Sequence, residues 1–575
     1  MLWVARLWLN DRPQLLWPPI CWAVLAFAGY AIARYLKADI EYVARQELIR
    51  VLVYALFFLT AINNLYRQDS IQVISWGLVF LGMGIAIYAT YQFLSGSDRV
   101  WTFISPYPGR AGGTFICPNH LAGFLEMTTP LALAFAIVGR VKPVWRVLFG
   151  YAAGVMLCGI VVSMSRGGWI AMSIALVVFV GILVRRRNFR LIGAAVLVLL
   201  IAGLGYVFSQ SFYLQQRFKR AFLEDKPTKV EDIRFELWQP AVQIWRDHVW
   251  FGAGPGHFDR VFPAYRTQTI QLRPDRVHND YLNTLADWGV VGALLVTGAF
   301  VLLALGVRKT WNSVRGGPRD LGSNQSNKFA VLLGASVGLV AILLHSAVDF
   351  NMHVPANALV MVTLLALVSV HLRFATESYW LTARLWLKGL ATLVLLGGIA
   401  YLGAQGWQRV EENHWLTCAQ QAPALSEAEL IALQRAYACD LQNADTIQVI
   451  GEHFRKLSWE GGFDYAQQAE EALKWYARGM KLNPHDADLP LHYAMCLDWL
   501  DRQLEAEPFI ERALSLDPNN YFILANVGWH FVQTGDLPAA EAYLLRSWRL
   551  EYQNNQIAQT LLPIVRQRMA EAAAR

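Results

Sequence analysis

The chain has 575 residues, 55% of them hydrophobic and only 16% charged, with mean hydropathy +0.31. Soluble domains carry about 25% charged residues, so most of this chain is excluded from the ordinary soluble class. The net charge of +7 and pI near 9.0 would suit nucleic acid, but the basic residues are segregated into short loops between apolar runs, which makes them a membrane-topology signal instead.

Stretches near the ~20 apolar residues that a bilayer-spanning helix needs are centred on 15–33, 48–65, 71–94, 119–139, 144–163, 167–184, 191–208, 289–307, 329–348, 355–374 and 384–404. The opening "MLWVARLWLNDRPQ" leads into the first span without a small-residue cleavage site, so no removable signal peptide is expected. Arg and Lys cluster in alternate loops: Arg140, Lys142 and Arg146; Arg185, Arg186, Arg187 and Arg190; Arg308, Lys309, Arg315, Arg319 and Lys328; Arg373, Arg384 and Lys388. The positive-inside rule makes these loops cytoplasmic and places everything after the last span outside. The 34–50 loop runs against this pattern, since Arg34, Lys37, Arg45 and Arg50 fall on the outer side.

From 405 onward the chain becomes charged, Ala-rich and helical in period. Ala472, Ala506 and Ala540 recur at a spacing of 34, as do Leu482, Leu516 and Leu550, and Pro484 and Pro518 close successive units. This resembles tetratricopeptide repeats, placed at about 451–484, 485–518 and 519–552 with a capping helix after them. Gly528 and Gly535 fit the packing and turn positions of the third unit. The expected fold is all-α: a polytopic membrane helix bundle of about 11–12 transmembrane helices, a large outer loop and a C-terminal α-solenoid. The expected domains are 1–208 (N-terminal spans), 209–288 (outer loop), 289–404 (C-terminal spans), 405–450 (helical connector) and 451–575 (repeats). A concave solenoid face is usually a partner surface.

Five polar motifs fall on one side of this topology: "GGTFICPNHLAGF" (112–124), "SMSRGGW" (163–169), "GAGPGHFDRVFPAYR" (252–266), "RVHNDY" (276–281) and "LLHSAVDFNMHVPANA" (343–358). Arg166 sits in a turn too short to carry it far into water. It either snorkels to the interface or is a planar cation fixed to bind phosphate oxygens bidentately. His278 is either a satisfied loop histidine or a general base, oriented by Asn279 and Asp280. Asp280 serves equally well as the N-cap of the following helix. "GAGPG" lacks the Lys-Ser/Thr of a phosphate loop and a βαβ context, so it reads as a turn permitting close backbone approach. Arg260, Arg266, Arg273 and Arg276 form either a solvated basic face or contacts to an anionic headgroup. His345 and Asp349 share a helix face, as a structural polar pair or as metal ligands lacking a third partner. No metal site is expected. Cys418 and Cys439 lie in the outer region, where a disulfide can form.

Together these motifs resemble the O-antigen ligase and polymerase superfamily of bacterial envelope glycosyltransferases, over about 70–410. Cys117 stands where the family usually has Asn, Asp287 where Glu is common, and the eleven spans are one short of the usual twelve. The resemblance implies a multi-pass bacterial inner-membrane protein with its active site and repeats periplasmic. It implies transfer of a glycan from undecaprenyl diphosphate to an acceptor hydroxyl on a glycan, a lipid A core or a protein, inverting and without metal, nucleotide or other cofactor. Mapped onto this chain, His278 would deprotonate the acceptor and Arg166 would bind the diphosphate. Arg266 is the second choice for that role, and Arg273, Arg276, Asn279, Asp280, Asn119 and His345 are further substrate-binding candidates. The expected partners are the lipid-linked donor, the acceptor, the bilayer and an envelope protein at the repeats, with no nucleic acid. Ligase, polymerase and protein oligosaccharyltransferase remain open as subtypes, and a small-anion, bicarbonate-like transporter is the reading from another class.

Overall fold

The computed structural model describes residues 2–11, 13–65, 67–185, 233–311, 313–314 and 325–574, with isolated positions between 191 and 209. The predicted span 191–208 and the 210–232 part of the outer loop therefore lie outside the continuously described residues.

The membrane part begins with a short helix, α1 (Leu2–Leu9), followed by α2 (Ile20–Tyr35), α3 (Glu41–Asn64), α4 (Gln68–Ser95), α5 (Pro118–Ile137), α6 (Pro143–Val162) and α7 (Arg166–Val184). Two helices outside the bundle, α8 (Ile233–Asp247) and α9 (Phe258–Val261), precede α10 (Asp280–Trp311), α11 (Asn327–His345), α12 (Pro355–Val370) and α13 (Leu385–Gln421). Among the described residues nine helices are long and apolar enough to cross a membrane, and Ile20–Tyr35 is apolar but shorter. Sheet is confined to two tiny pairs, β1 (Gln14–Leu16) with β4 (Trp380–Thr382) and β2 (Arg99–Val100) with β3 (Phe103–Ile104).

The helix starts are written locally. Pro118, Pro143 and Pro355 each occupy the first helical position, where a missing N–H costs nothing. Ser165 and Ser326 cap α7 and α11 through their hydroxyls. At the centre of the bundle α5 packs on α11. A Cβ on Gly334 would lie 2.6 Å from Leu131 Cα, and one on Gly338 would lie 2.4 Å from the Met127 carbonyl oxygen. These two glycines, four apart in "GASVG", let the helix backbones touch in the small-xxx-small manner of membrane helices. The final span is not a 20-residue segment. It continues as the 37-residue α13 straight into the connector.

The connector adds α14 (Glu427–Cys439), and three helix pairs follow: α15 (Ala444–Trp459) with α16 (Tyr465–Leu482), α17 (Asp488–Trp499) with α18 (Gln503–Leu516), and α19 (Tyr521–Thr534) with α20 (Leu537–Leu550). A final helix, α21 (Gln556–Ala574), closes the solenoid. The first pair starts at Ala444, several residues before the expected 451, because Asn443 supplies the cap. Ala472, Ala506 and Ala540 are fully buried where the helices cross. Gly528 packs directly under Leu544, and Gly535 turns the chain at φ 84°. Cys418 and Cys439 are both free thiols.

Contacts divide the loops between two faces, as alternating spans require. The Asp280 N–H donates to the Ser346 carbonyl, and Arg110 Nε to the Ser163 carbonyl, so four motif-bearing segments meet at one face. At the other face the Ser326 N–H donates to Val138 O, and Arg140 N–H to Asn327 Oδ1. The anomalous 34–50 loop is explained by its partners on the motif face. Arg34 donates to the Gly252 carbonyl, Arg45 pairs with Asp440 at 2.6 Å, and Arg50 pairs with Glu47. Three of its four cations are thus spent on protein contacts, which weakens them as topology signals.

Helix α10 breaks at Gly289, where φ is 65° and ψ −169°. The glycine-rich segment before α9 lies against this break: Ala253 N–H donates to Ala286 O, and Val290 N–H to Val249 O. A Cβ on Gly289 would lie 2.5 Å from the backbone nitrogens of Phe251 and Gly252. That conformation is nearly glycine-only and costs another residue about 1–3 kcal/mol, before any clash. Gly289→Ala is expected to lower the thermal midpoint of the detergent-purified protein; an unchanged midpoint would show that this packing is dispensable.

Candidate active site

Two turns on the motif face hold non-glycine residues in the left-handed region, Met164 at φ 51° and His278 at φ 55°. Such backbone costs of order 1–3 kcal/mol and persists only where its surroundings fix it. In the first turn Ser165 Oγ accepts from Gly168 N–H at 3.2 Å, which sets Arg166 as the first residue of α7. A Cβ on Gly167 would lie 2.8 Å from Val348 and 2.9 Å from the His345 ring. One on Gly168 would lie 2.7 Å from Glu126 Oε1. Only glycines at both positions let the Arg166 turn seat on α5 and on the link between α11 and α12.

That same link carries the partner of His278. His278 Nδ1 is buried and stands 3.5 Å from Asp349 Oδ1, with the imidazole edge-on to Phe350 at 4.7 Å. The distance exceeds a closed hydrogen bond. Asp349 is itself buried and anchored: its Oδ1 accepts from Phe350 N–H at 2.8 Å, and Arg234 lies 3.5 Å from Oδ2 while donating to the Val348 carbonyl at 2.7 Å. Burial alone would raise this carboxyl, but the His278 contact and the charges of Arg234 and His345 hold it well below the usual carboxylate range. Asp349 is therefore an anion facing the buried Nδ1 of a half-buried imidazole.

Asn279, not Asp280, caps the following helix: its Oδ1 accepts from Tyr281 N–H at 3.0 Å and Leu282 N–H at 3.1 Å. The N-cap reading of Asp280 is corrected accordingly. Asp280 instead clamps the link, with Oδ1 3.0 Å from His353 Nδ1 and Oδ2 accepting from Met352 N–H. Asn119, at the start of α5, accepts from Arg110 at 2.7 Å, and Arg110 also reaches the Ser163 carbonyl. Arg110 thus joins two of the motifs, and its place just before "AGGTF" was the available signal for it. His345 does not pair with Asp349. It is fully buried against Glu126, with Nδ1 3.1 Å from Oε1.

The three loop arginines are committed to protein partners. Arg276 pairs with Glu47 at 2.7 Å and lies 3.8 Å from Asp287. Arg273 donates to the carbonyl and carboxylate of Asp259. Arg266 Nε faces both oxygens of Asp517 at 2.8 and 3.1 Å, and its Nη1 reaches the Ile270 and Leu272 carbonyls. Together with Arg260–Asp445 at 2.7 Å, this pair clasps the solenoid onto the outer loop. Both side chains of Arg266–Asp517 are only 3% exposed. Breaking a buried pair from one side costs about 3–5 kcal/mol. Arg266→Ala is expected to loosen the solenoid, read as faster proteolysis between 405 and 450 than in wild type; identical cleavage rates would refute it.

Two N–H groups of the "GAGPG" turn, those of Ala253 and Gly254, donate to α10 carbonyls, and the Asp287 carboxylate accepts from Phe258 N–H at 2.8 Å and Asn283 Nδ2 at 2.7 Å. Burial pulls the neighbouring His257 down to about 4, so it is neutral at ordinary pH.

A polytopic helical membrane protein with a cationic turn and a carboxylate-held histidine converging on one face is the class that fold and site define. Residues 151–297, from mid-α6 through the first part of α10, match the family model described as O-Antigen ligase. The matched segment is thus similar to an O-antigen ligase domain, and a solenoid of helix pairs follows the last membrane span. No curated protein matches the chain. Among solved structures it is similar to a thermophilic TPR protein of Thermus thermophilus, at 18% identity over 26% of this chain and 73% of that one, with TM-score 0.22. It is also similar to a MamA protein, at 13% identity over 28% of this chain and 90% of that one, again with TM-score 0.22.

Proposed function

We propose that the protein transfers a glycan from undecaprenyl diphosphate to an acceptor hydroxyl at the motif face, which is the periplasmic side of a bacterial inner membrane. The observation that carries this reading is the meeting of the Arg166 turn and the Asp349-held His278 on one link, residues 345–350. His278 Nε2 takes the proton of the acceptor hydroxyl. The freed oxygen attacks the anomeric carbon and inverts it, the bond to the diphosphate oxygen breaks, and its electron pair leaves with the diphosphate. Arg166 faces the charge that develops there. The diphosphate supplies the driving energy, so the reading needs no nucleotide, metal or other cofactor.

An apolar cavity of about 200 Å³ between α2, α3, α10 and α12, lined by Phe27, Tyr54, Phe58, Phe300 and Met361 among others, supports a lipid-borne substrate. Arg266, Arg273 and Arg276 are left out of substrate binding here because each is already paired with a carboxylate of the protein. The test is reconstitution in proteoliposomes with a polyprenyl-diphosphate glycan and, in separate arms, a glycan, a lipid A core and a Ser/Thr peptide. Product in one arm identifies the acceptor class. No product in any arm, with small-anion flux in the same vesicles, would replace the reading with transport.

A further inference from the structure

Helix α5 carries a carboxylate that the proposed reaction does not use. Glu126 lies about two turns inside the helix, at a depth where a charge is expensive, and its side chain is fully buried against the equally buried His345 of α11. Oε1 and Nδ1 face each other at 3.1 Å, while Glu126 Oε2 and His345 Nε2 are buried without a hydrogen-bond partner. A pair serving cohesion alone normally has its remaining lone pairs and protons satisfied, and buried polar atoms that lack partners call for a functional explanation. Several features instead converge to keep this pair in place. Gly334 and Gly338 bring α11 onto α5, Gly167 leaves room for the His345 ring, and Gly168 leaves room for Glu126.

We infer that Glu126 and His345 are positioning residues: Glu126 keeps the His345 imidazole charged, and that cation holds Asp349, four residues on, as the carboxylate that faces His278. The inference rests on the reading of His278 as the base. Charges then alternate from the bundle interior to the open face: carboxylate, imidazolium, carboxylate, base. The charged or titratable groups around His345 are Glu126 and His120 of α5, the Arg166 turn of α7, Arg234 of α8, Asp349 of the link and His278 of the outer loop. His345 ends α11 and Asp349 follows in the turn after it, close enough for their charges to interact.

Glu126→Gln keeps the shape and removes the anion that makes a buried imidazolium tolerable, so His345 becomes neutral. Loss of that cation lets the His278–Asp349 site take a proton more readily. The acid limb of the kcat/KM–pH profile then moves to higher pH, on the order of half a unit for a charge a few ångströms beyond Asp349. His345→Gln removes the same cation directly and should move the limb in the same direction.

The experiment measures these profiles for wild type, Glu126→Gln and His345→Gln in proteoliposomes, with a polyprenyl-diphosphate glycan and the acceptor that supports wild-type turnover. An upward shift in either folded variant supports the inference. Profiles superimposable on wild type, whatever the drop in kcat, overturn it and leave the proposed function standing. Failure of both variants to insert and fold would assign the pair to structure alone and also overturn it. No transfer by wild type in any acceptor arm would overturn the proposed function and this inference with it.

Discussion

His278→Ala is expected to lower glycan transfer by about 10²–10⁴-fold, the usual contribution of a positioned acid–base group, with no change in membrane insertion. The residue sits on strained backbone, at φ 55°, directly before the Asn279 cap, and alanine can adopt that conformation at similar cost. The loss should therefore fall on the chemistry. Exogenous imidazole should restore part of the rate, because the His278 side chain beside Phe350 is 30% exposed and the space it leaves can be reached from solvent. Asp349→Asn should lower the rate as well, since an amide no longer fixes which imidazole nitrogen carries the proton. Purified His278→Ala protein transferring glycan at the wild-type rate would end the assignment of a base to this position.

The membrane architecture was legible because each span is a run of apolar residues near the length a bilayer demands. Among the described residues nine long helices and the shorter Ile20–Tyr35 fall where those runs lie. The solenoid was legible from its 34-residue period. The partners of the charges were not legible, because they are distant in sequence. Arg266 reads locally as one of four loop arginines suited to an anion, and its carboxylate, Asp517, comes 251 residues later. His345 and Asp349 look like a pair by spacing, but the structure divides them between Glu126 and His278. Glu126 itself was hidden inside "FLEMTTP", an apolar stretch where a single acid gives no periodic signal. The 34–50 loop misled for the same reason: a count of arginines cannot tell a cation facing a membrane surface from one already paired with Asp440.

Arg166→Ala should cost about 10²–10³ in rate, the typical loss when one preorganised contact to developing charge is removed. The effect should fall mainly on kcat, because the bridging oxygen gains its full charge only as the glycosidic bond breaks, and an interaction strongest at that moment raises kcat rather than donor affinity. Arg166→Lys distinguishes charge from geometry. A lysine keeps a point charge at the first position of α7 but loses the planar fork that meets two phosphate oxygens together, so its rate should lie between alanine and wild type. The flanking glycines give the experiment an internal control. Gly167→Ala keeps the guanidinium but pushes the turn off Val348 and His345, since the added Cβ would lie 2.8 Å from Val348. If Arg166 acts by being aimed from that seat, Gly167→Ala should lose kcat nearly as Arg166→Ala does. If Arg166 is only an interfacial anchor, Arg166→Lys should be fully active, because a lysine snorkels as well as an arginine.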